Sequence, residues 1–236
     1  MKPRTCRATI ILAVATLVLA GCGTAPTRED PLEPFNRAMY SVHEVVDGQV
    51  VKPIAETYVK VAPEPLRTGV SNFFGNIDDF ITGINNVLQG HATRAGDDFG
   101  RVLLNSTFGV GGIFDLASMM GIEKDKQDFG LTFGKWGIPN GPYLFVPLLG
   151  PTTFRDGAGL VVRIYANPIT YINDVAWRNS IYAVNYLDTR SQLLRSESVL
   201  ETASLDKYRF LRSAYLRARR YQVYEGKPPP EEEENQ

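Results

Sequence analysis

Residues 129–159, FGLTFGKWGIPNGPYLFVPLLGPTTFRDGAG, constrain this chain more than any other stretch. Glycine and proline recur every few residues, yet the side chains between them are aromatic or aliphatic: Phe133, Trp136, Tyr143, Leu144, Phe145, Val146, Leu148 and Leu149. Surface loops are ordinarily polar, because water satisfies exposed backbone and turns favour Asn, Asp and Ser. A segment broken too often for a regular helix and too apolar for a solvated loop must rest on an apolar partner. That partner is either the protein's own core or lipid.

The start of the chain brings a membrane into that choice. Lys2, Arg4 and Arg7 make a positive leader, and residues 8–20 are apolar apart from Thr9 and Thr16. This run falls short of the roughly 20 residues a bilayer span needs and has the length of a signal-peptide core. It closes in Leu19-Ala20-Gly21-Cys22, which resembles the lipobox of bacterial lipoproteins. The resemblance implies cleavage between Gly21 and Cys22, removal of residues 1–21, and an N-acyl and S-diacylglycerol lipid on Cys22. At about 0.8 kcal/mol per buried CH₂, two or more acyl chains hold a protein on a membrane essentially permanently. Gly23 follows the cysteine in place of the Asp of an inner-membrane retention signal, so the outer membrane is expected. Residues 22–30 read as a lipidated tether, 31–226 as the folded domain, and 227–236, ending in PPPEEEENQ, as a disordered acidic tail. No segment after the leader offers 18 uninterrupted apolar residues, so no membrane-spanning helix is expected there.

Charge and cysteine usage then limit the chemistry. The 25 basic and 26 acidic residues become 22 and 26 once Lys2, Arg4 and Arg7 leave, a net charge of −4 with no nucleic-acid footprint. Cys6 departs with the leader and Cys22 is consumed by lipid, so no disulfide, thiol nucleophile or thiolate metal site is expected. A zinc site would need His43, His91 and a carboxylate, but His43 sits in an apolar helical stripe with Val42, Val45 and Val46. The Gly-x-Ser-x-Gly elbow of the α/β-hydrolases is missing. Asp78-Asp79 and Asp97-Asp98 are adjacent carboxylates, but helix neighbours diverge by about 100° and share no site. Helix-end charge and solvation account for them. Gly109-Val110-Gly111-Gly112 lacks the lysine and spacing of a phosphate-binding loop and reads as a tight bend. The chain is therefore expected to be no enzyme and to need no cofactor beyond its covalent lipid.

Apolar spacing predicts an all-α domain. Phe35, Met39, Val42, Val46 and Val50 form a helical stripe that Pro53 interrupts, and Ile54, Tyr58 and Val61 form a second. After Pro63 and Pro65 the stripe resumes at Leu66, Val70 and Phe73 and broadens through Ile77, Phe80, Ile81, Ile84, Val87 and Leu88. Whether that broad face packs on the protein or on lipid is left open by spacing. Ala95, Phe99, Val102 and Leu103 carry a further helix to Gly109, and residues 114–120 a short one closed by Gly121. Thr153-x-x-Asp156 reads as a capping box, Ile181, Val184, Leu187 and Leu194 as a helical repeat, and Ser198-x-x-Glu201 as the cap of a last helix ended by Gly226. About eight to ten short helices joined by Gly/Pro turns are expected, with no alternation long enough to argue for a sheet.

Several short motifs run in a fixed order along the domain. First come Asp30-Pro31-Leu32-Glu33-x-Phe35-Asn36-Arg37, Asn72-Phe73-x-Gly75-Asn76, Leu88-Gln89-Gly90, and Arg101-x-x-x-Asn105 with Gly109-x-Gly111-Gly112-x-x-Asp115. The opening stretch adds Phe129-Gly130-x-Thr132-x-Gly134, Gly137, Gly141-Pro142-Tyr143, Pro147, Gly150 and Arg155-Asp156. Arg190-x-x-Leu193-Leu194, Asp206-x-Tyr208 and Tyr215 complete the series. Behind a lipobox, this order resembles the MlaA (VacJ) family of outer-membrane lipoproteins over about residues 30–220. Lys207 departs from the family, which commonly has proline after the aspartate, and this bears on where the last helix starts.

The resemblance implies a helical ring in the inner leaflet of the outer membrane, around an amphipathic channel and docked on a trimeric porin. Such proteins remove mislocalised phospholipids from the outer leaflet and pass them to the periplasmic carrier MlaC, so maintaining lipid asymmetry without making or breaking a bond. Phe35, Asn36, Arg37, Asn72, Gly75, Asn76, Asn105, Gly111, Gly112 and Asp115 are then expected to be structural. Gly134, Trp136, Gly137, Gly141, Pro142, Tyr143, Pro147, Gly150, Arg155 and Asp156 are channel or ridge candidates, with Gly134, Gly137 and Gly141 as flex points of a semi-rigid hairpin. Arg212, Arg217, Arg219 and Arg220, on the polar side of the last helix, are carrier-contact candidates. A porin-bound lipoprotein without transport and an envelope hydrolase are the alternative readings.

Overall fold

The computed structural model describes residues 30–203 and 206–230. The expected leader, Cys22 and residues 231–236 of the expected tail lie outside the described residues.

Pro53 does not break the chain. Helix α1 (Glu33–Val46) passes through a wider π turn (Asp47–Val51) into α2 (Lys52–Val61). A proline has no N–H to give and its ring crowds the carbonyl four residues back, and the extra residue in the turn ahead of it absorbs the mismatch. Helix α3 (Glu64–Leu88) has Pro65 in its first turn, where no N–H is needed, and runs for 25 residues. Helix α4 (Ala92–Thr107) packs along it, followed by α5 (Leu116–Met119) behind an Asp115 cap.

The opening stretch is composite. It contains helix α6 (Phe129–Lys135), strands β1 (Tyr143–Val146) and β2 (Gly150–Thr153), and the start of α7 (Phe154–Ala166). The strands pair antiparallel, Tyr143 opposite Thr153 and Val146 opposite Gly150. At four residues each, they are too short for alternation to show in sequence, which is why no sheet was expected. The Thr153 hydroxyl caps α7 by accepting from the Asp156 N–H at 3.2 Å. A 3₁₀ turn (Pro168–Tyr171) leads to α8 (Val175–Ala203), 29 residues long, and then to α9 (Lys207–Val223). Ser198-x-x-Glu201 thus lies within α8, not at the start of a last helix. The cap of α9 is Asp206, whose carboxylate accepts from the Arg209 N–H at 3.1 Å, so the helix starts at Lys207 without a proline.

Polarity is inverted across these helices. On α3 the buried residues include Asn76, Asp79, Thr82, Asn85 and Asn86, whereas Phe73, Val87 and Leu88 face outward. On α4, Asp98, Arg101 and Asn105 are buried while Phe99 and Leu103 are exposed. The two carboxylate pairs therefore split, because the 100° between neighbours sends one inward and one out. Asp78 pairs at the surface with Arg163 at 2.6 Å, and Asp97 is exposed. Solvation accounts for those two only. Asp79 and Asp98 are 1% exposed.

Charges are rarely buried unless paired, and here the pairing centres on Arg101, which is fully buried. Its Nε donates to Asp79 at 3.0 Å, its Nη2 to both Asp115 oxygens at 3.0 and 2.9 Å, and its Nη1 to the Ser118 hydroxyl and the Ile122 carbonyl. Asn105 joins by donating to Asp115 at 3.0 Å and accepting the Ala117 N–H. Asn72 donates to the Ile113 carbonyl and Asn76 to Ser106, which pins the glycine bend to α3. Glycine is required in that bend. A Cβ at Gly112 (φ +94°) would sit 2.9 Å from Asn76, and one at Gly109 would sit 2.2 Å from the Phe114 carbonyl oxygen.

A second hub joins the chain's first described residues to the hairpin and to α9. Asn36 donates to the Tyr143 carbonyl and accepts the Phe145 N–H, both at 3.0 Å, so α1 grips the β1 edge. Asp30 is fully buried and accepts from Asn36, Tyr208 and Arg212. Arg37 pairs with Asp206 at 2.7 Å and with Glu33 at 2.8 Å, its guanidinium 4.6 Å from the Tyr208 ring centre. Tyr143, Phe145 and Tyr208 form the apolar core beneath, with Met39, Tyr40, Leu211, Tyr215 and Leu216 around them.

Candidate functional site

Between α1, the π turn, the hairpin, α8 and α9 lies a cavity of about 710 Å³ whose lining mixes apolar and charged side chains. Phe145, Leu148, Leu149, Leu193, Phe210 and Leu211 are its apolar part. The polar part is a chain of ion pairs. Arg190 forks onto Asp47 at 2.8 and 2.6 Å and reaches Glu197 at 3.4 Å, and Lys52 closes the row on Glu197 at 3.1 Å. The hydrogen-bonded Arg190 guanidinium holds the Asp47 carboxyl below the usual carboxylate range. Glu44 and Lys207 add one charge of each sign. Three cations and three anions line the cavity, the balance a zwitterion or a headgroup-plus-counterion would meet.

Local structure explains the polar part. The π turn brings Asp47 inward to 7% exposure and puts Gly48 on the lining, so the accommodation of Pro53 also shapes the cavity. The hairpin tip is held over it by His43, whose Nδ1 accepts the Leu148 N–H at 3.2 Å while its ring lies 5.4 Å from that of Phe145. Burial pushes the His43 pKa down, which keeps the ring neutral and able to accept. Leu148 itself turns in the left-handed region (φ +68°). Among the described residues, no group of three or more His, Cys, Asp or Glu could hold a metal ion.

The channel and ridge candidates scatter. Gly150 lines the cavity, as does Leu148 next to Pro147, which is in the turn between the strands. Tyr143 is in the core, and Arg155 and Asp156 are buried in a structural ion cluster away from the lining. Asp156 accepts from Arg155 and Arg219 at 2.9 Å each and from the Tyr215 hydroxyl at 2.6 Å. The expected flex points fall at a packed contact and two turns. Gly134 packs under Val223 and Arg155, and Gly137 (φ +85°) and Gly141 (φ +66°) sit in left-handed turns. Pro142 is exposed, and Trp136 is exposed with its Nε1 donating to the Leu88 carbonyl at 3.1 Å.

The carrier-contact arginines also divide. Arg219 is 8% exposed and is bound to Asp128 and Asp156, because the last helix turns it inward onto the α6 cap. Arg212 is committed to Asp30 at 3.3 Å. Arg217 is exposed, and Arg220 donates to the Pro229 carbonyl at 2.6 Å. Asp47, Lys52 and Glu197 were not singled out from sequence. The one available signal was Arg190 and Leu193 of the Arg190-x-x-Leu193-Leu194 motif, both of which line the cavity.

Helices α3 and α4, polar within and apolar without, define a class of protein suited to lying against lipid, and no described helix is long and apolar enough to cross it. Comparison with known proteins is more specific. The chain belongs to the MlaA lipoprotein family, whose model matches residues 28–222. The intermembrane phospholipid transport system lipoprotein MlaA of Escherichia coli K12 is 33% identical over 234 residues, covering 95% of this chain and 92% of that protein. The protein of the same name from Haemophilus influenzae is 31% identical over 237 residues, covering 96% and 93%. A solved structure from work on the structural basis for maintenance of bacterial outer membrane lipid asymmetry superposes with a TM-score of 0.73. It is 32% identical and covers 83% of this chain and 100% of that one.

Proposed function

We propose that this chain is an outer-membrane lipoprotein that takes mislocalised phospholipids from the outer leaflet and passes them through the amphipathic cavity to a periplasmic carrier. The carrying observation is that apolar side chains and the Lys52–Glu197–Arg190–Asp47 row line one cavity. A phospholipid needs both, since an unpaired phosphate in hydrocarbon costs several kcal/mol and acyl chains gain nothing from a charged path. The transport role printed for the Escherichia coli and Haemophilus influenzae relatives supports the reading. Lipidation at Cys22, seating in the inner leaflet, a trimeric porin as neighbour and MlaC as acceptor complete the proposal. No bond is made or broken in it.

A deletion strain tests this by its outer-leaflet phospholipid and its detergent sensitivity. Wild type should restore the barrier, whereas Asp47→Asn with Arg190→Gln should accumulate normally and fail to restore it. Full rescue by that variant would overturn the cavity as the lipid path and leave the porin-bound structural reading.

A further inference from the structure

We propose that His91, Arg94 and Lys135 form a second site, a cradle for the phosphate of a phospholipid headgroup, now filled by the chain's own Glu225. The three side chains converge on a single oxygen. Arg94 Nη1 and His91 Nε2 each lie 3.2 Å from Glu225 Oε1, and Lys135 Nζ donates to the same atom. The His91 ring faces Asn86 Oδ1 with its Nδ1 and turns its Nε2 toward Lys135 Nζ at 3.5 Å, so one carboxylate oxygen takes both cations, Arg94 and Lys135, where a phosphate offers an oxygen to each.

The position of Glu225 is the second observation. It sits just beyond α9 with φ +50°, in the left-handed helix-end position that usually falls to glycine, and the Gly226 N–H closes the turn on the Tyr221 carbonyl at 2.8 Å. A glutamate held in that conformation is kept there by its side chain's contacts, a strain that clusters at binding sites. Beside it opens a polar cavity of about 490 Å³, walled by Arg94, Lys124, Lys126, Gln127 and Gln222. Asp125 also lines it, but its carboxylate is engaged by Asn86 at 3.1 Å, Gln127 at 3.3 Å and the Lys126 N–H at 2.7 Å.

The rim identifies the ligand as lipid. Leu88, three residues before His91, and Trp136, next to Lys135, are both exposed, and the Trp136 indole is tied to the Leu88 carbonyl. An aliphatic side chain and a tryptophan beside cationic groups match the boundary between acyl chains and headgroups. This site lies apart from the cavity of α1, the hairpin, α8 and α9, and it does not require that lipid pass through that cavity.

The test is native mass spectrometry of the full chain released from detergent micelles, titrated with phosphatidylglycerol. Glu225→Gln removes the internal competitor and should tighten binding of the first lipid by about tenfold, and Arg94→Gln with Lys135→Gln should weaken it by a similar factor. Glu225→Gln is predicted to gain binding, so loss of folding in the double variant cannot decide the matter. Unchanged affinity in Glu225→Gln overturns the proposal. Inorganic phosphate that displaces the lipid at equal concentration overturns the assignment to lipid. The Glu225→Gln gain should persist with Asp47→Asn and Arg190→Gln present. Its loss there would move the lipid into the other cavity and also overturn this site.

Discussion

Asp98 is the residue whose burial leaves the clearest signature in solution. Burial pushes its carboxyl up to about 6, with Asp125 and Asp79 adding to the shift, while Asn86 donates to it at 2.7 Å and Arg101 opposes the rise. The folded state therefore binds a proton that the unfolded chain releases near its ordinary value of 3.8, and stability falls as pH rises through that interval. Asp98→Asn removes the penalty while keeping an oxygen for Asn86. The variant should be more stable than wild type by about 1–3 kcal/mol at pH 7.5 and equal to it near pH 4, as read from denaturant unfolding midpoints. Equal stability at both pH values would refute the assignment. In the sequence, Asp97 and Asp98 are indistinguishable, because only the packing of α3 on α4 decides which of the two faces inward.

At the level of elements, helices α6 and α7 meet through backbone. A Cβ on Gly159 would lie 2.4 Å from the Gly130 nitrogen, and the Asp156–Arg219–Asp128 cluster bolts the same contact to α9. Gly159→Ala should destabilise by about 1–3 kcal/mol, the range for overpacking where backbone must move. Gly96→Ala, in the middle of α4 with nothing within 4 Å, should instead stabilise by about 0.5–1 kcal/mol through helix propensity. Opposite signs in thermal unfolding distinguish a contact glycine from a merely permissive one. The sequence analysis named Gly134, Gly137 and Gly141 as flex points. It could not show that Gly130, Gly134 and Gly159 are contact glycines, because the neighbour that excludes a Cβ belongs to another element.

For the whole molecule, the decisive property is the reversal of inside and outside. Buried positions include Asp30, Glu33, Asp79, Asp98 and Arg101, while Phe108, Phe114, Met119, Trp136, Val161, Tyr165 and Trp177 are exposed. Large apolar side chains exposed in such number mark an interaction surface. Cys22→Ala, made without its lipid, should therefore still float with phospholipid vesicles and require detergent to remain monodisperse. Free, monodisperse protein in plain buffer would show that the acyl chains alone hold it to a membrane. The question posed by residues 129–159 resolves both ways: β1 rests on the protein's own core at Tyr143 and Phe145, and Trp136, Ile138 and Leu149 face outward.

Sequence by itself determined the helical class, most helix positions, the cap at Thr153, the lipobox expectation and the family, because these rest on spacing and on motifs local in the chain. Tertiary structure decided which face of each helix is inside, and it assembled the Asp47–Arg190 and Arg101–Asp79–Asp115 networks from residues far apart in the chain. It also removed Arg219 from the surface by giving it Asp128 and Asp156 as partners. The physical reason is that an apolar stripe reads alike whether it meets protein or lipid, and a charge reads alike whether it meets water or its counterion. Only the neighbours supplied by the fold tell them apart.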